Sequence, residues 1–342
     1  MNGDQRPSKG EFVASDDARP GFTVVVPLYN KGPYIARTLA SVLSQRYPAE
    51  DVIVVDDGST DHGADLVASE FPTVTLIRQA NAGVGAARNT GLKAARSDWI
   101  AFLDADDAWS PTHLAELARI AERFPAADLL STRWMRVREG EPWPAWPAGS
   151  TPELRRIDYF REAALQGGPV WTSAAAVSRR AYERFGGFGS APLGEDQEYW
   201  ARIALGGQVA VSALVTAAYV RGVASVTEQA RQEEASEMVP TRARHALPVF
   251  ATLEDALSAG EHTADPGSIH LYWNTKLERK AREALSRSQY ERARALVSFM
   301  IAPLHRWQRA LAFVTRLPDW LLHGIMGLRA RLSRQPRAQR LG

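Results

Sequence analysis

With 342 residues and 45% apolar content, the chain is long enough for one large domain or two ordinary ones and apolar enough for a packed core, which excludes a disordered protein. Its 41 basic and 39 acidic residues leave a net charge of +2, so no global field argues for nucleic acid as a partner. The absence of cysteine removes disulfides, thiolate metal sites and cysteine nucleophiles, and allows a reducing compartment.

Met1 to Pro20 is polar, which predicts a loose tail rather than a signal peptide or anchor. From Phe22 to Phe124, strand-like runs at Phe22–Pro27, Val52–Asp56, Val74–Ile77 and Trp99–Leu103 alternate with helical segments at Tyr34–Gln45, Gly63–Glu70, Ala82–Ala95 and Pro111–Arg123. That alternation predicts right-handed βαβ crossovers and a three-layer α/β/α domain on a mostly parallel sheet. A strand is expected near Asp128–Val137, followed by an aromatic, proline-broken loop at Glu141–Pro147. A helix at Glu153–Gln166, a strand at Trp171–Val177, a glycine turn at Phe185–Gly189, a helix at Glu195–Leu205 and a strand at Val209–Val220 come next. After Val226 strand signals vanish, and helices are predicted at Gln229–Ser258, Ser268–Ser286 and Gln289–Met300. The expected divisions are a tail over 1–21, an α/β domain over 22–226, a helical region over 227–302 and a basic amphipathic tail over 303–342.

Two apolar runs end in carboxylates: Asp56 and Asp57 close one, Asp104 and Asp106 the other. Ligands of open parallel sheets bind at the strands' carboxyl ends, so these acids face a crevice, where their clustering is costly without a compensating cation or donors. The Asp104-Ala105-Asp106-Asp107 turn suits a hard divalent cation that also holds phosphate oxygens, a solvated acidic turn being the plainer reading. Asp57 is read as a ligand of a uracil ring N–H or a ribose hydroxyl, or else as a turn aspartate. Tyr29, after Pro27 ends its strand, is placed to stack on a base or to serve a plain turn. Arg88, on the helix after the glycine-rich run Asn81–Gly91, faces a base or diphosphate, or pairs with Asp57 or Asp104. Glu195 and Asp196 open a helix after a glycine turn, where carboxylates are favoured by the dipole and where a general base can approach a hydroxyl.

Together, Val25-Val26-Pro27-Leu28-Tyr29-Asn30, Val54–Asp61, Asn81–Asn89, Phe102–Asp107, Phe185-Gly186-Gly187-Phe188 and Gly194-Glu195-Asp196 resemble, in order and spacing, the family 2 glycosyltransferases, inverting enzymes of the GT-A fold. The resemblance covers about residues 22–222. It implies a nucleotide-diphosphate sugar donor, a UDP-sugar being favoured, a hydroxyl acceptor on a glycan or lipid carrier, and a divalent metal, Mn²⁺ or Mg²⁺. Pro27 and Tyr29 would border the nucleotide, Asp57 would bind the base and Arg88 would line the pocket. Asp104 and Asp106 would form the Asp-x-Asp element, Asp106 being the direct metal ligand. Asp196 would deprotonate the acceptor, with Glu195, Trp171, Trp200 and Arg202 on the acceptor side; core packing is the equal alternative for both tryptophans.

From Leu304 onward, eight arginines are interleaved with Trp307, Phe313, Trp320 and Ile325, against the single acid Asp319. Such a segment suits an anionic membrane surface on the cytoplasmic side, or else an amphipathic helix packed on the domain. A nucleotidyltransferase is the rival enzyme, disfavoured because the loop after the first strand lacks a glycine-rich basic sequence. A non-catalytic sugar-nucleotide-binding protein is the second rival.

Overall fold

The computed structural model describes residues 19–141, 145–146, 152–222, 239–319 and 321–323. Its first half alternates β1 (Phe22–Leu28), α1 (Gly32–Leu43), β2 (Asp51–Asp56), α2 (Gly63–Glu70), β3 (Thr75–Arg78), α3 (Val84–Ala94) and β4 (Trp99–Phe102). β1 pairs in parallel with β2 and with β4, and β2 with β3, so the four carboxyl ends open on one edge. Both faces of this sheet are covered. Val24, Val26 and Val54 pack on one side, Val25, Ile53 and Val55 on the other, as the unbroken apolar runs require.

The second half adds β5 (Ala108–Trp109), α4 (His113–Arg123), β6 (Leu129–Arg138), β7 (Leu154–Ile157), α5 (Tyr159–Leu165), a 3₁₀ turn at Thr172–Ala174, β8 (Ala175–Ser178), α6 (Arg179–Phe185), α7 (Glu195–Gly206) and β9 (Val209–Arg221). The sheet runs β3-β2-β1-β4-β8-β6-β9-β5, with β7 paired to β9. Helices α8 (Pro248–Ala259), α9 (Pro266–Ser286), α10 (Tyr290–Ser298) and α11 (Arg306–Val314) follow. They are not a separate layer: Phe250, Leu253, Ile269, Tyr272 and Leu277 share one continuous core with Trp200, Phe102 and Val25.

Two expectations change. The helix expected over Glu153–Gln166 is a strand and then a helix, because the Asp158 carboxylate accepts from Arg161 N (3.0 Å) and caps α5 there, while Leu154–Ile157 pairs with β9. The helix expected over Gln229–Ser258 is, in its described part, a 3₁₀ turn at Ala243–His245 and then α8, with Pro248 at its first turn; residues 229–238 lie outside the described ones. Strand β5 and helix α6 were not expected. The N-terminal tail up to residue 18, most of the aromatic loop, Trp320, Ile325 and the arginines from Arg329 onward also lie outside the described residues. Among the described residues no helix is long and apolar enough to cross a membrane.

Candidate active site

The end of β1 is fastened to the end of β2. Asn30, in the left-handed region at φ 51°, accepts from Thr60 N through Oδ1 (2.8 Å), and its own N donates to Ser59 Oγ (3.1 Å). Asp61 joins two helix starts, accepting from Gly32 N (2.7 Å) and Gly63 N (2.9 Å). Gly58 has φ +76°, and a Cβ there would lie 2.9 Å from Asn81 N, so the turn tolerates no side chain. These ties leave Pro27 buried in β1, opposite Val55, and Tyr29 half-buried at the crevice. Pro27 costs no ladder bond, because the described β1–β4 register ends at Val25.

Asp57 is buried, and its oxygens accept from Gln79 Nε2 (2.7 Å), Ala82 N (2.9 Å) and Gly83 N (2.8 Å). It therefore positions the loop that leads into α3. A carboxylate has about four acceptor sites, so these three bonds leave room for one more.

Arg88 joins the two acidic elements. Its guanidinium, buried over the Phe188 ring, donates to Asp104 Oδ1 (2.8 Å) and to Glu195 Oε1 (2.8 Å). Of the sequence alternatives, it pairs with Asp104 and not with Asp57, and adds Glu195. Desolvation alone would lower its pKa, but the two carboxylates outweigh that and raise it. Glu195 is pushed up, first by burial, then by Asp196, with Arg88 opposing.

The Asp-x-Asp turn is held from both sides. Thr38 Oγ1 donates to Ala105 O and Asp107 O (both 2.8 Å), and Arg37 donates to Asp106 O (3.1 Å). Ser173 Oγ accepts from Asp104 N (3.1 Å) and donates to Asp107 Oδ2 (2.6 Å), while Val220 N donates to Asp107 Oδ1 (3.0 Å). Buried Asp107 is thus the structural acid of the turn, and burial with Asp106 and Asp104 nearby pushes its pKa well up. Asp104 and Asp106 are the more exposed pair, and Asp106 Oδ2 meets the Lys31 ammonium at 2.6 Å. The residues fit a divalent cation: two carboxylates with hard oxygen donors stand at one strand end, and each already accommodates a positive charge, Asp104 that of Arg88 and Asp106 that of Lys31. No group of three or more metal-ligating side chains exists among the described residues, so diphosphate oxygens or water would complete the shell.

Asp196 sits in the first turn of α7, where the helix dipole favours its charge. Its Oδ1 accepts from Gln197 N (2.7 Å) and its Oδ2 from Thr172 Oγ1 (3.4 Å). Trp171 stands at the same turn, half-buried between Trp134 (5.5 Å between ring centroids) and Tyr219 (5.3 Å). Two of the residues expected on the acceptor side are engaged within the protein. Trp200 is fully buried against Phe102, Phe188 and Tyr199, because it points to the sheet side of α7. Arg202 instead clamps the glycine turn, donating to Phe185 O, to Gly187 O (2.6 Å) and to both Glu198 oxygens. Lys31, Thr172 and Ser173 escaped the sequence reading, since single polar residues beside a motif carry no periodic signal; Lys31, next to Tyr29-Asn30, was the most findable.

Residues 23–186 match the family model described as Glycosyl transferase family 2. The chain is 33% identical over 162 residues to "Uncharacterized glycosyltransferase YibD" of Escherichia coli (strain K12), covering 46% of this chain and 44% of the relative. It is 47% identical over 111 residues to "Succinoglycan biosynthesis protein ExoW" of Rhizobium meliloti (strain 1021), covering 30% and 35%. The chain thus spans between a third and a half of the length of these relatives. Among solved structures, S. aureus TarS 1–349 in complex with UDP-GlcNAc superposes with a TM-score of 0.64 over 93% of each chain at 19% identity, which shows the fold to be GT-A.

Proposed function

Residues 23–186 belong to glycosyl transferase family 2, and from that premise we propose that the chain moves a sugar, with inversion, from a nucleotide-diphosphate sugar to a hydroxyl acceptor in polysaccharide, glycolipid or cell-envelope glycan synthesis. The observation that carries this reading is Arg88, which ties the Asp-x-Asp turn to the Glu-Asp helix start through two 2.8 Å bonds. A donor-side acid pair and an acceptor-side acid pair are thereby held on one frame, as in-line displacement at an anomeric carbon requires.

Asp57 holds the loop over 79–83 beside the site where the nucleotide would bind, and Pro27 and Tyr29 at the end of β1 would border it. Asp104 and Asp106 would hold Mn²⁺ or Mg²⁺, which supplies charge compensation for the departing diphosphate. Asp196 takes the proton of the attacking acceptor hydroxyl. Glu195 and Arg88 fix the helix start that presents it. No covalent enzyme intermediate is needed, so the lack of cysteine is no obstacle. UDP is the favoured nucleotide, in line with the UDP-GlcNAc and UDP complexes of the TarS structures.

A second element supports work at the cytoplasmic face of a membrane. The outward face of α11 and the turn after it carries Arg306, Arg309, Phe313 and Arg316, with Trp307 at its margin, while Gln308 and Leu311 face inward. Trp307 and Phe313 are 62% and 66% exposed, an arrangement suited to anionic lipid. Calorimetric titration of the full chain with UDP-, GDP- and dTDP-sugars, with and without Mn²⁺, tests the donor assignment. At least one metal-dependent isotherm is expected; none with any donor would overturn it.

A further inference from the structure

The family match ends at residue 186, yet helix α9 reaches the start of α7, where Lys276 meets Gln197. Tyr272 and Lys276 lie one turn apart on α9, Tyr272 against α5 and Lys276 against the start of α7. The Lys276 ammonium lies 5.2 Å from the Tyr272 ring centroid and donates to Gln197 Oε1, the residue after Asp196. Tyr272 is fully buried against Tyr159 and Phe160, so the lysine's stem has a rigid floor.

Lys276 makes no ion pair among the described residues. Its direct acceptor is a neutral amide oxygen. Burial lowers its pKa to about 8, Arg279 and Lys280 push the same way, and the charge of Asp196 opposes them. A half-buried cation without a carboxylate in contact is unfavourable for folding alone. The imbalance grows during turnover: when Asp196 takes the acceptor's proton it becomes neutral, and the field that steadied the ammonium is lost.

Resting on the glycosyl-transfer reading, we propose that Lys276 reads the acceptor: its ammonium binds an anionic oxygen group, phosphate or carboxylate, carried by the acceptor beside the hydroxyl that Asp196 deprotonates. Such a group compensates Lys276 before and after proton transfer and orients the nucleophile. Helix α9 is then part of the acceptor subsite, and specificity is written outside the segment shared with the family.

The test uses the full chain labelled with ¹³C-lysine and follows the Lys276 ε-methylene resonance, identified by its loss in Lys276→Arg. Methyl phosphate and methyl glucuronoside are the anionic probes, methyl glucoside the neutral one, and exposed Lys93 the control. An anionic probe is expected to move the Lys276 signal and raise its titration midpoint by about one unit, as an opposite charge at contact does. Methyl glucoside and Lys93 are expected to show nothing. Which anion acts tells a phosphate-bearing from a uronic-acid-bearing acceptor. A Lys276 signal indifferent to both anions, or equally sensitive to the neutral glycoside, makes the lysine a tie between helices and overturns the inference. Release of nucleoside diphosphate from nucleotide sugars is measured on the same preparation. Release with a silent Lys276 contradicts this inference alone, whereas a responsive Lys276 without release contradicts the glycosyl-transfer reading.

Discussion

Arg88 is buried with two carboxylates, and neither Asp104 nor Glu195 has another cation in ion-pair contact among the described residues. Asp106 differs, because its partner Lys31 sits on the crevice and a donor-bound metal would have to share or displace it. Asp106→Asn keeps the shape and removes the charge that a hard cation needs. Calorimetry with UDP should find the Mn²⁺-dependent part of the affinity reduced more than roughly tenfold, about 1.4 kcal/mol. Undiminished metal-dependent affinity would take Asp106 out of the ligand set. His113, away from the site, makes a different prediction. It is fully buried, stacked on Trp109 (4.2 Å between centroids) with Nδ1 at 2.7 Å from Thr216 Oγ1, and burial pushes its pKa down to about 3. A depressed pKa means that the unfolded chain binds the proton first. The stability held by neutral His113 is complete above about pH 6.5 and falls as pH drops toward 3. Urea midpoints measured across that window should fall, and in His113→Phe they should fall less steeply; parallel slopes would show that this imidazole does not set the acid limit.

At the scale of elements, the site depends on how closely α3 lies on β1. A Cβ added at Gly91 would lie 2.2 Å from Val25 Cγ1 and 2.8 Å from Cγ2, and Val25 is locked in a central strand. Alanine is the better helix former by about 1 kcal/mol, but overpacking of a core costs about 1–3 kcal/mol, so the clash decides the sign. Gly91→Ala should lower the urea midpoint, and Val25→Ala should be less harmful in that background than alone. Strict additivity of the two changes would mean that α3 shifts freely. The same closeness explains what the sequence made legible. Strands β1, β2 and β4, buried on both faces, leave near-continuous apolar runs whose acidic ends, Asp56-Asp57 and Asp104–Asp107, are legible without coordinates. The expectations for Arg88 and Asp196 rest on a glycine-rich run, a helix start and the family resemblance. Leu154–Ile157 was misread because its partner, β9, lies more than fifty residues away. Trp200 was ambiguous because nothing local tells the sheet side of an aromatic helix start from the cleft side. Lys276 was invisible for the same reason, its meaning coming from contact with α7.

Across the whole molecule, the C-terminal helices close the core over α7 and present α11 outward. Replacing Arg306, Arg309 and Arg316 by glutamine on the full chain should weaken binding to anionic vesicles by about 1 kcal/mol per arginine, roughly a hundredfold in all, and added salt should erase most of the difference. Equal sedimentation of both proteins with anionic vesicles would make α11 a packing element. In the proposed reaction one frame presents a donor-side acid pair and a general base to the two halves of sugar transfer. The most direct measurement compares transfer from a bound nucleotide sugar to a cognate hydroxyl acceptor by the native chain and by Asp196→Asn. Donor affinity should be the same in both, and turnover should fall on the order of 10²–10⁴-fold in the variant, the usual cost of a lost general base. Near-native turnover in Asp196→Asn would contradict Asp196 as the base.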